Sequence, residues 1–496
     1  MASQFSDNEK YDAELASPPL TATPTSSSLE DLAKDWTEAE ERAVVRKLDI
    51  SVLSLLFFGF FCFQLERGNI ANAVTSTLFK DVGIVQNQFN VGQGLLYLGI
   101  VLLEVPSQMV VQRIGPQKWL TFQIFCFGLV ATFQLFMKGY ASFLVTRILL
   151  GIVECGYIPG SLYVLSTFYK RNELGSRTSF FFLGSVLVSG VGGLMAAGLL
   201  QIKGSLHPWQ YLFLVEGSLA IFCSLLFLIF MPDGPNRPVP MLFPRLTLLT
   251  AREKEIVRLR VIVDDAAKSA ATRPLTNGEI FNTLLNWRNY PHVLHAIACI
   301  AATSAMGQYQ PLLIKNFGFS TIKANLYSSV GGWLAFVMMI ISGLVSDRVR
   351  NKGLCVIFLT SCSLITWSVF VHESSGSNKW AKYAAITCTT AFSQVWHPIN
   401  ATWLSLNQAS PQRRAIAMAM FVMAANLGGL VGSQILRSED APTYHVGFRV
   451  CVSLVAFGTA MSIAQHFQYR WSNNRNAAKV AAGEKLREDR PSTYIM

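Results

Sequence analysis

The strongest constraint on this chain is a succession of twelve apolar segments, each about twenty residues long. A helix of about twenty residues crosses the roughly 30 Å hydrocarbon core of a bilayer, and in lipid only a helix satisfies its own backbone. Charged residues make up 14% of the sequence, against about 25% in a typical soluble protein. The sequence therefore predicts an all-α polytopic membrane protein with spans at 48–66, 90–111, 119–137, 141–168, 178–201, 211–231, 291–315, 326–346, 354–371, 381–403, 415–436 and 447–467.

The remaining composition excludes several classes of protein. The net charge of +11 is spread over loops and tails and forms no basic stripe interleaved with aromatic residues, so we expect no nucleic-acid partner. The nine cysteines are scattered, mostly within spans, and none forms a CxxC pair. The sequence contains no HExxH or GxSxG motif, and the spans leave no room for a soluble catalytic domain. We expect no metal, no cofactor and no enzymatic activity.

Loops and tails divide the chain into five regions. A polar, basic loop separates six spans from six, and the pattern Thr37-Glu-Ala-Glu40 predicts a capped amphipathic helix just before the first span. The expected regions are a disordered cytosolic N-terminal tail carrying that helix at 1–46, a six-helix bundle at 47–231, a cytosolic linker loop at 232–290, a second six-helix bundle at 291–467 and a cytosolic C-terminal tail at 468–496.

The distribution of basic residues predicts the orientation in the membrane. The short loops at the two ends of the bundle carry equal numbers of Lys and Arg and therefore do not decide it. The central linker adds further basic residues, among them Arg237, Arg245, Lys268 and Arg273, and favours a cytosolic location for both termini. We expect a multi-pass protein of the plasma membrane.

Arg147 and Glu154 lie seven residues apart in the otherwise apolar fourth span. Seven residues make nearly two helical turns, so the two side chains share one face, about 10 Å apart. Either charge at mid-bilayer depth costs roughly 2.5–3.5 kcal/mol, so each should face protein or water. A guanidinium matches a carboxylate, and a carboxyl shielded from water can exchange a proton. We expect Arg147 to contact an anion and Glu154 to carry a proton; a structural ion pair is the alternative.

Other charges in the first half allow two interpretations each. Arg67 follows Glu66 at the end of the first span and is either a second anion contact or an interfacial residue paired with its neighbour. Glu104, in the second span, is either a proton-coupling group or a buried polar lock. Glu216 and Lys315 are expected at the membrane interface.

The second half supplies neutral polar residues. Gln308 and Gln310 precede Pro311 in the seventh span, and a helix interrupted by proline is typical of cavity linings. In the tenth span, Trp396 and Trp403 lie seven residues apart and could present two aromatic walls to a ring. The further candidates for substrate contact are His397, Asn400 and Asn426, and ordinary helix packing is the alternative for all of them.

Gly343-Leu-Val-Ser-Asp347-Arg348, between spans 8 and 9, resembles the G-x-x-x-D-R motif of the major facilitator superfamily. The corresponding loop between spans 2 and 3 keeps Arg113 and a glycine but lacks the aspartate. Related loops in two six-span halves fit the internal repeats of transporters. The resemblance implies the major facilitator fold, with twelve transmembrane helices in two six-helix halves, and a gating role for Asp347, Arg348 and Arg113.

Further tracts narrow the resemblance, over about 45–470, to the fungal allantoate permease family of the anion:cation symporter branch. They are Glu66-Arg67-Gly-Asn69-Ile-Ala-Asn72-Ala, Glu104-Val-Pro106-Ser, the Arg147 and Glu154 pair, and Asn426 to Tyr444. Related carriers use an arginine and a glutamate at this spacing. Glutamate replaces the family's aspartate at 66, glycine its serine at 68 and alanine its glycine at 71, changes that bear on the substrate more than on the fold.

The resemblance implies a secondary active transporter that takes up a small organic anion with protons by alternating access. Allantoate, nicotinate, pantothenate and biotin are substrates of this group. The proton-coupling candidates are then Glu154, Glu104 and Glu66, and the expected partners are the anionic substrate, protons and the lipid bilayer, with the chain acting as a monomer. A proton-antiport exporter of a secondary metabolite and a non-transporting nutrient sensor remain as alternatives.

Overall fold

The computed structural model describes residues 36–235, 237–240, 242–243, 246, 248–264, 277–349, 351–482 and 493–496. The disordered tail predicted before residue 36 lies outside this part of the chain, as do the linker residues Arg245, Lys268 and Arg273. The regular secondary structure of the described residues is helical, in agreement with the all-α prediction.

The first half contains nine described α-helices. Helix α1 runs through a π-helical segment, Asp49–Leu53, directly into α2, so the two form one continuous rod. Thr37 caps α1 through the predicted capping box with Glu40. The helices are α1 Glu38–Leu48, α2 Ser54–Ala73, α3 Leu78–Val82, α4 Gln86–Ile114, α5 Pro116–Phe133, α6 Gly139–Glu154, α7 Tyr157–Phe168, α8 Arg171–Leu199 and α9 Pro208–Phe230.

The described linker and second half contain another nine. Two helices belong to the linker, and the others follow the predicted order of spans. They are α10 Ala251–Asp264, α11 Asn277–Leu284, α12 Tyr290–Asn316, α13 Thr321–Val349, α14 Lys352–Ser374, α15 Lys379–Ser393, α16 His397–Leu406, α17 Pro411–Gly432 and α18 His445–Ala481.

Eight helical segments of the described chain are long and apolar enough to cross a membrane. The other four predicted spans coincide with α4, α12, the α15–α16 pair and α17. Two predicted spans are each split into two helices. The fourth breaks between α6 and α7, and the tenth breaks between α15 and α16, where Pro398 lies in the first turn of α16.

The two halves meet along three pairs of helices, α8 against α13, α4 against α17 and, less extensively, α2 against α12. Within the halves, α5 packs on α9 and α12 packs on α17. Small residues permit the closest approach between the halves: a Cβ atom at Gly332 would lie 2.3 Å from the Ser189 backbone. Backbone contact of this kind is a common way for membrane helices to associate.

Hydrogen bonds tie the halves together at the far end, which we define as the end of the bundle opposite the linker. The Thr75 carbonyl accepts from Lys315 Nζ at 2.7 Å, and Asn325 Nδ2 donates to Thr75 Oγ1 at 2.9 Å. Asn90 Nδ2 donates to the Leu436 carbonyl at 2.8 Å, across the second contact between halves. The structure is therefore closed at the far end, and Lys315, expected at the interface, joins the halves.

The linker helices attach to different halves. Helix α10 packs on α1 and α7, where Arg260 pairs with Glu41 at 3.1 Å and Glu173 at 2.5 Å. Partial burial raises the pKa of the Glu253 carboxyl. Its bond to Lys47, at 2.7 Å, outweighs that burial and holds the pKa below its ordinary value. Helix α11 packs instead on α17.

The region predicted as a C-terminal tail begins as a helix, because α18 continues past residue 467 to Ala481. Its last described residues dock against the linker end of the second half. Asn473 exchanges two hydrogen bonds with the Tyr494 backbone, at 2.7 and 2.9 Å, and Asn407 exchanges two with that of Ile495, at 2.7 and 3.0 Å. The Tyr494 ring stacks on Tyr469 with centroids 4.8 Å apart. This segment fills the space between α16 and α18.

Candidate substrate cavity

A cavity of about 300 Å³ lies between the halves. Helices α2, α4 and α8 line it from the first half, and α12, α13 and α15 line it from the second. Its wall combines neutral polar side chains with apolar ones. Among the described lining residues, Arg67 is the only one with a charged side chain. The cavity therefore offers a single positive group surrounded by amides and hydroxyls.

Arg67 is held in place by two neighbours. Its Nε donates to Glu154 Oε2 at 2.7 Å, and its guanidinium lies 4.3 Å from the centroid of the Phe63 ring. A guanidinium has five N–H donors, and the bond to Glu154 uses one of them. The side chain is 18% exposed, while that of Glu154 is fully buried. Arg67 can thus contact a molecule in the cavity through its remaining donors.

Arg147 lies deeper in the first half and is not among the lining residues. On α6, Phe143, Arg147, Leu150 and Glu154 recur on one buried face, as expected from the spacing of seven. The Arg147 side chain is fully buried, its Nε, Nη1 and Nη2 have no hydrogen-bond partner among the described residues, and its guanidinium lies 5.6 Å from the Phe143 ring centroid. Its charge acts on the nearby carboxyl groups of Glu66 and Glu154.

Carboxyl groups collect behind Arg67. The Glu154 carboxyl lies near that of Glu66, and Glu154 Oε1 and Glu66 Oε2 each lack a hydrogen-bond donor among the described residues. Gln134 Nε2 donates to Glu66 Oε1 at 3.1 Å. Glu216, expected at the interface, is instead 3% exposed near Glu66, and no described residue donates to either of its oxygens. Adjacent buried carboxyls cannot all be ionised cheaply, so this arrangement can hold protons.

Glu104 and Asn426 meet across the two halves. Asn426 Nδ2 donates to Glu104 Oε2 at 3.4 Å, and Glu104 is 7% exposed. Both residues were candidates from the sequence, but residues 322 positions apart cannot be paired from sequence alone. This contact joins α4 to α17 closer to the middle of the bundle than the far-end bonds.

Neutral amides supply much of the remaining polar surface. Gln308 and Gln310 line the cavity from α12, and both amide atoms of Gln308 and Nε2 of Gln310 have no described hydrogen-bond partner. Asn69 Nδ2 and Gln93 Oε1 are likewise unpaired on the first-half wall. Sequence analysis did not single out Gln93 as a candidate. The signal was present, because Gln93 interrupts the apolar run of the second span.

The aromatic candidates of the tenth span lie elsewhere. Trp396 and Trp403 are fully buried and are not among the lining residues. Trp396 Nε1 donates to the Ser393 carbonyl at 2.9 Å, and Trp403 Nε1 donates to that of Ile495 at 2.8 Å. Such contacts are expected if the two tryptophans serve helix packing, the alternative to substrate contact.

Two neighbouring candidates are also held by packing contacts. Asn400 Oδ1 and His292 Nδ1 are 2.6 Å apart, and His397 lies against Phe421, with ring centroids 4.9 Å apart. Neither Asn400 nor His397 lines the cavity in this structure. A substrate role for the tenth-span residues stays a prediction.

The gating candidates are exposed at the linker end. Asp347 Oδ1 accepts from Lys352 Nζ at 2.7 Å, with the aspartate side chain 80% exposed. Arg348 and Arg113 are also exposed. Their gating role stays a prediction.

The chain belongs to the Major Facilitator Superfamily, whose profile matches residues 56–433. It is therefore a multi-pass membrane transporter of small molecules and not an enzyme. The fold agrees with the major facilitator architecture expected from the sequence.

Similar proteins include fungal transporters. The chain is 30% identical over 480 residues to an uncharacterized transporter of Saccharomyces cerevisiae, covering 95% of this chain and 88% of that protein. It is 27% identical over 458 residues to the high-affinity nicotinic acid transporter of the same yeast, covering 91% and 82%. Among solved structures, a bacterial homolog of the human lysosomal transporter Spinster, in an inward-facing and unoccupied conformation, matches with a TM-score of 0.63 and 13% identity, covering 87% and 98%.

Proposed function

We propose that this transporter imports a small organic anion together with protons across the plasma membrane, as a carrier of the allantoate permease type. The observation that carries the proposal is Arg67, the only charged residue among the described cavity lining, bonded at 2.7 Å to the buried Glu154. A relative named as a nicotinic acid transporter, whose substrate bears a carboxyl group, supports an anionic cargo.

Arg67 is the primary anion contact in this proposal. A guanidinium fork holds a carboxylate through charge-assisted bonds of about 1.5–3 kcal/mol. Arg147, which sequence analysis ranked first, contributes its positive charge to the carboxyl cluster and becomes a second anion contact when the helices rearrange. The unpaired amides of Gln308 and Gln310 then select among anions by their neutral polar groups.

Proton coupling follows from competition for Arg67. A substrate carboxylate that takes the Arg67 donors leaves Glu154 beside Glu66 without its positive partner. A buried carboxylate that loses its partner is strongly destabilised, and uptake of a proton removes that cost. One anion and one proton then enter together, so the charge of the cavity stays unchanged while the protein converts between its open states.

Alternating access would proceed by opening the far end. The bonds of Thr75 and Asn90 to the second half must break there while the linker end closes. Asp347, Arg348 and Arg113 lie at the linker end, where closure would bring the halves together. The linker helices α10 and α11, each attached to a different half, allow this rocking motion.

The test is uptake of a labelled panel of carboxylates (allantoate, nicotinate, pantothenate and biotin) into cells expressing the protein, at about pH 5 and about pH 7.5, a range over which a buried carboxyl can titrate. We expect at least one substrate to accumulate faster at the acidic pH, and Glu154→Gln to remove that difference. The matched control is Glu38→Gln, an exposed carboxyl on α1. Uptake with no pH dependence would contradict proton coupling, and faster loss of preloaded label would indicate export.

A further inference from the structure

The fourth span is broken immediately after Glu154. Helix α6 ends at Glu154, Cys155 is extended with ψ of 132°, Gly156 is left-handed with φ of 80°, and α7 begins at Tyr157. Pro159 lies in the first turn of α7 and lacks an N–H, and its ring would collide with the carbonyl four residues earlier in a continuous helix. That carbonyl belongs to Cys155, so the sequence places the break at this point.

A break inside a span exposes backbone carbonyls where water is scarce, and an unsatisfied carbonyl is costly in that setting. Three side chains from neighbouring helices donate to carbonyls at the break, one of which, that of Gly156, also accepts from the Gly160 N–H at 2.9 Å. Gln123 Nε2 donates to the Cys155 carbonyl at 2.5 Å, and Ser107 Oγ donates to the same oxygen at 2.8 Å. Gln108 Nε2 donates to the Gly156 carbonyl at 3.0 Å. We name Ser107, Gln108 and Gln123 the break clip.

The break clip is tightly packed around the break. Trp119 Nε1 donates to Ser107 Oγ at 3.0 Å and so orients the hydroxyl toward the break. A Cβ atom at Gly156 would lie 2.3 Å from Ser107 Oγ, and the left-handed φ of Gly156 also favours glycine. Side chains from α4 and α5 therefore fix the peptide groups that follow Glu154.

The same tract of α4 also faces the second half. Glu104-Val-Pro106-Ser places Glu104 against Asn426 and, one turn later, places Ser107 against the break. The tract carries a family resemblance in the sequence, but nothing in the sequence assigns a role to Ser107. The structure connects it to the peptide that follows Glu154.

We infer that Ser107, Gln108 and Gln123 are positioning residues that hold Glu154 where its carboxyl can move between Arg67 and a proton. They do not touch the cavity and act through the broken backbone. Because Glu154 is the last residue of α6, its position depends on how the next peptide group is held. The inference rests on the proposed proton-coupled uptake.

The experiment compares Gln123→Leu with Gln117→Leu in the full-length transporter in cells. Both glutamines lie on α5 and donate to a backbone carbonyl, but Gln117 bonds Pro232 at the linker end, away from Glu154. We expect Gln123→Leu to move the pH of half-maximal uptake by about one unit, a free-energy change about as large as that of one hydrogen bond, and Gln117→Leu to leave it unchanged. Surface labelling reports the amount of each variant in the membrane.

Each outcome bears on a different claim. A Gln123→Leu variant with less uptake but the wild-type pH profile would overturn the inference, because the clip would then only support the fold. If this variant fails to reach the membrane, Ser107→Ala removes a single hydroxyl and is judged by the same pH profile. A flat pH profile in the wild-type protein would instead contradict the proposed function.

Discussion

The two halves of the transporter differ in how they use buried polar groups. The first half buries four carboxyl groups (Glu66, Glu104, Glu154 and Glu216) together with the guanidinium of Arg147, and holds Arg67 at the cavity wall. Among the described residues of the second half, no carboxyl group is buried, and its contribution to the cavity consists of amides and hydroxyls. Charge is concentrated in the first half, whereas the described residues of the second half contribute only neutral groups to the cavity.

This division has a physical reason. An ionised group inside a membrane is stable only when an oppositely charged partner lies close to it. Separating the two leaves an unpaired charge in a medium of low polarity. If the charged partners all belong to one half, the pair of Arg67 and Glu154 survives while the halves move relative to each other. Neutral amides can lose and regain partners at a smaller cost. We therefore expect substitutions in the first half to affect charge coupling, and substitutions in the second to affect affinity.

The largest expected effect is that of Arg67→Ala. Loss of the cavity's guanidinium removes the anion contact and strands Glu154, and we expect uptake to fall about 100-fold or more, which corresponds to roughly 3 kcal/mol. Arg67→Lys keeps the charge but not the planar fork and should retain part of the activity. The measurement is initial uptake rate, corrected for protein at the surface.

Arg437→Ala is the control for that experiment, because Arg437 is 65% exposed at the far end and pairs with an equally exposed Glu439. It should transport like the wild type. Normal uptake by Arg67→Ala would refute the assignment of the anion contact to the first half.

A smaller effect is expected from Gln308→Leu. Its amide is unpaired in the cavity wall, so it can form a neutral hydrogen bond with the substrate. Loss of one such bond should raise KM about 3- to 10-fold. The pH profile should not change, since no titrating group is lost.

The matched control is Gln465→Leu, a buried glutamine of the second half that bonds Gln468 and does not line the cavity. Its KM should equal that of the wild type. A pH profile altered by Gln308→Leu would show that the second half takes part in proton coupling and would break the comparison between the halves.

Trp403→Phe is expected to change stability and not transport. The substitution removes the indole donor to the Ile495 carbonyl, a bond worth about 1 kcal/mol. The melting temperature of the purified protein should fall by a few degrees. Altered preference among carboxylates would instead support the aromatic wall that the sequence suggested for the tenth span.

The sequence predicts the fold better than it predicts the site. Span length and apolarity follow from the thickness of a bilayer, and so the helices appear where they were expected. The break after Glu154 also had a signal, since Gly156 and Pro159 stand close together in an apolar run. Segment length alone hides such a break, because both halves of the span remain apolar.

Spacing along one helix could not decide between Arg147 and Arg67. It places Arg147 and Glu154 on the same face, but which arginine reaches Glu154 depends on where the bundle places α2 relative to α6. In the same way, the position of Glu216 in the sequence suggests the membrane interface, but in the structure Glu216 is buried near Glu66. The packing of helices that are distant in sequence sets both outcomes.

Proton movement in reconstituted vesicles tests the central claim most directly. Purified protein is placed in vesicles with a pH-sensitive dye inside, and the transported carboxylate is added outside. We expect the wild-type protein to acidify the interior in step with uptake of the anion. Glu154→Gln should still exchange labelled for unlabelled anion but should move no protons. Acidification by Glu154→Gln equal to that of the wild type would contradict the assignment of proton coupling to the pair of Arg67 and Glu154.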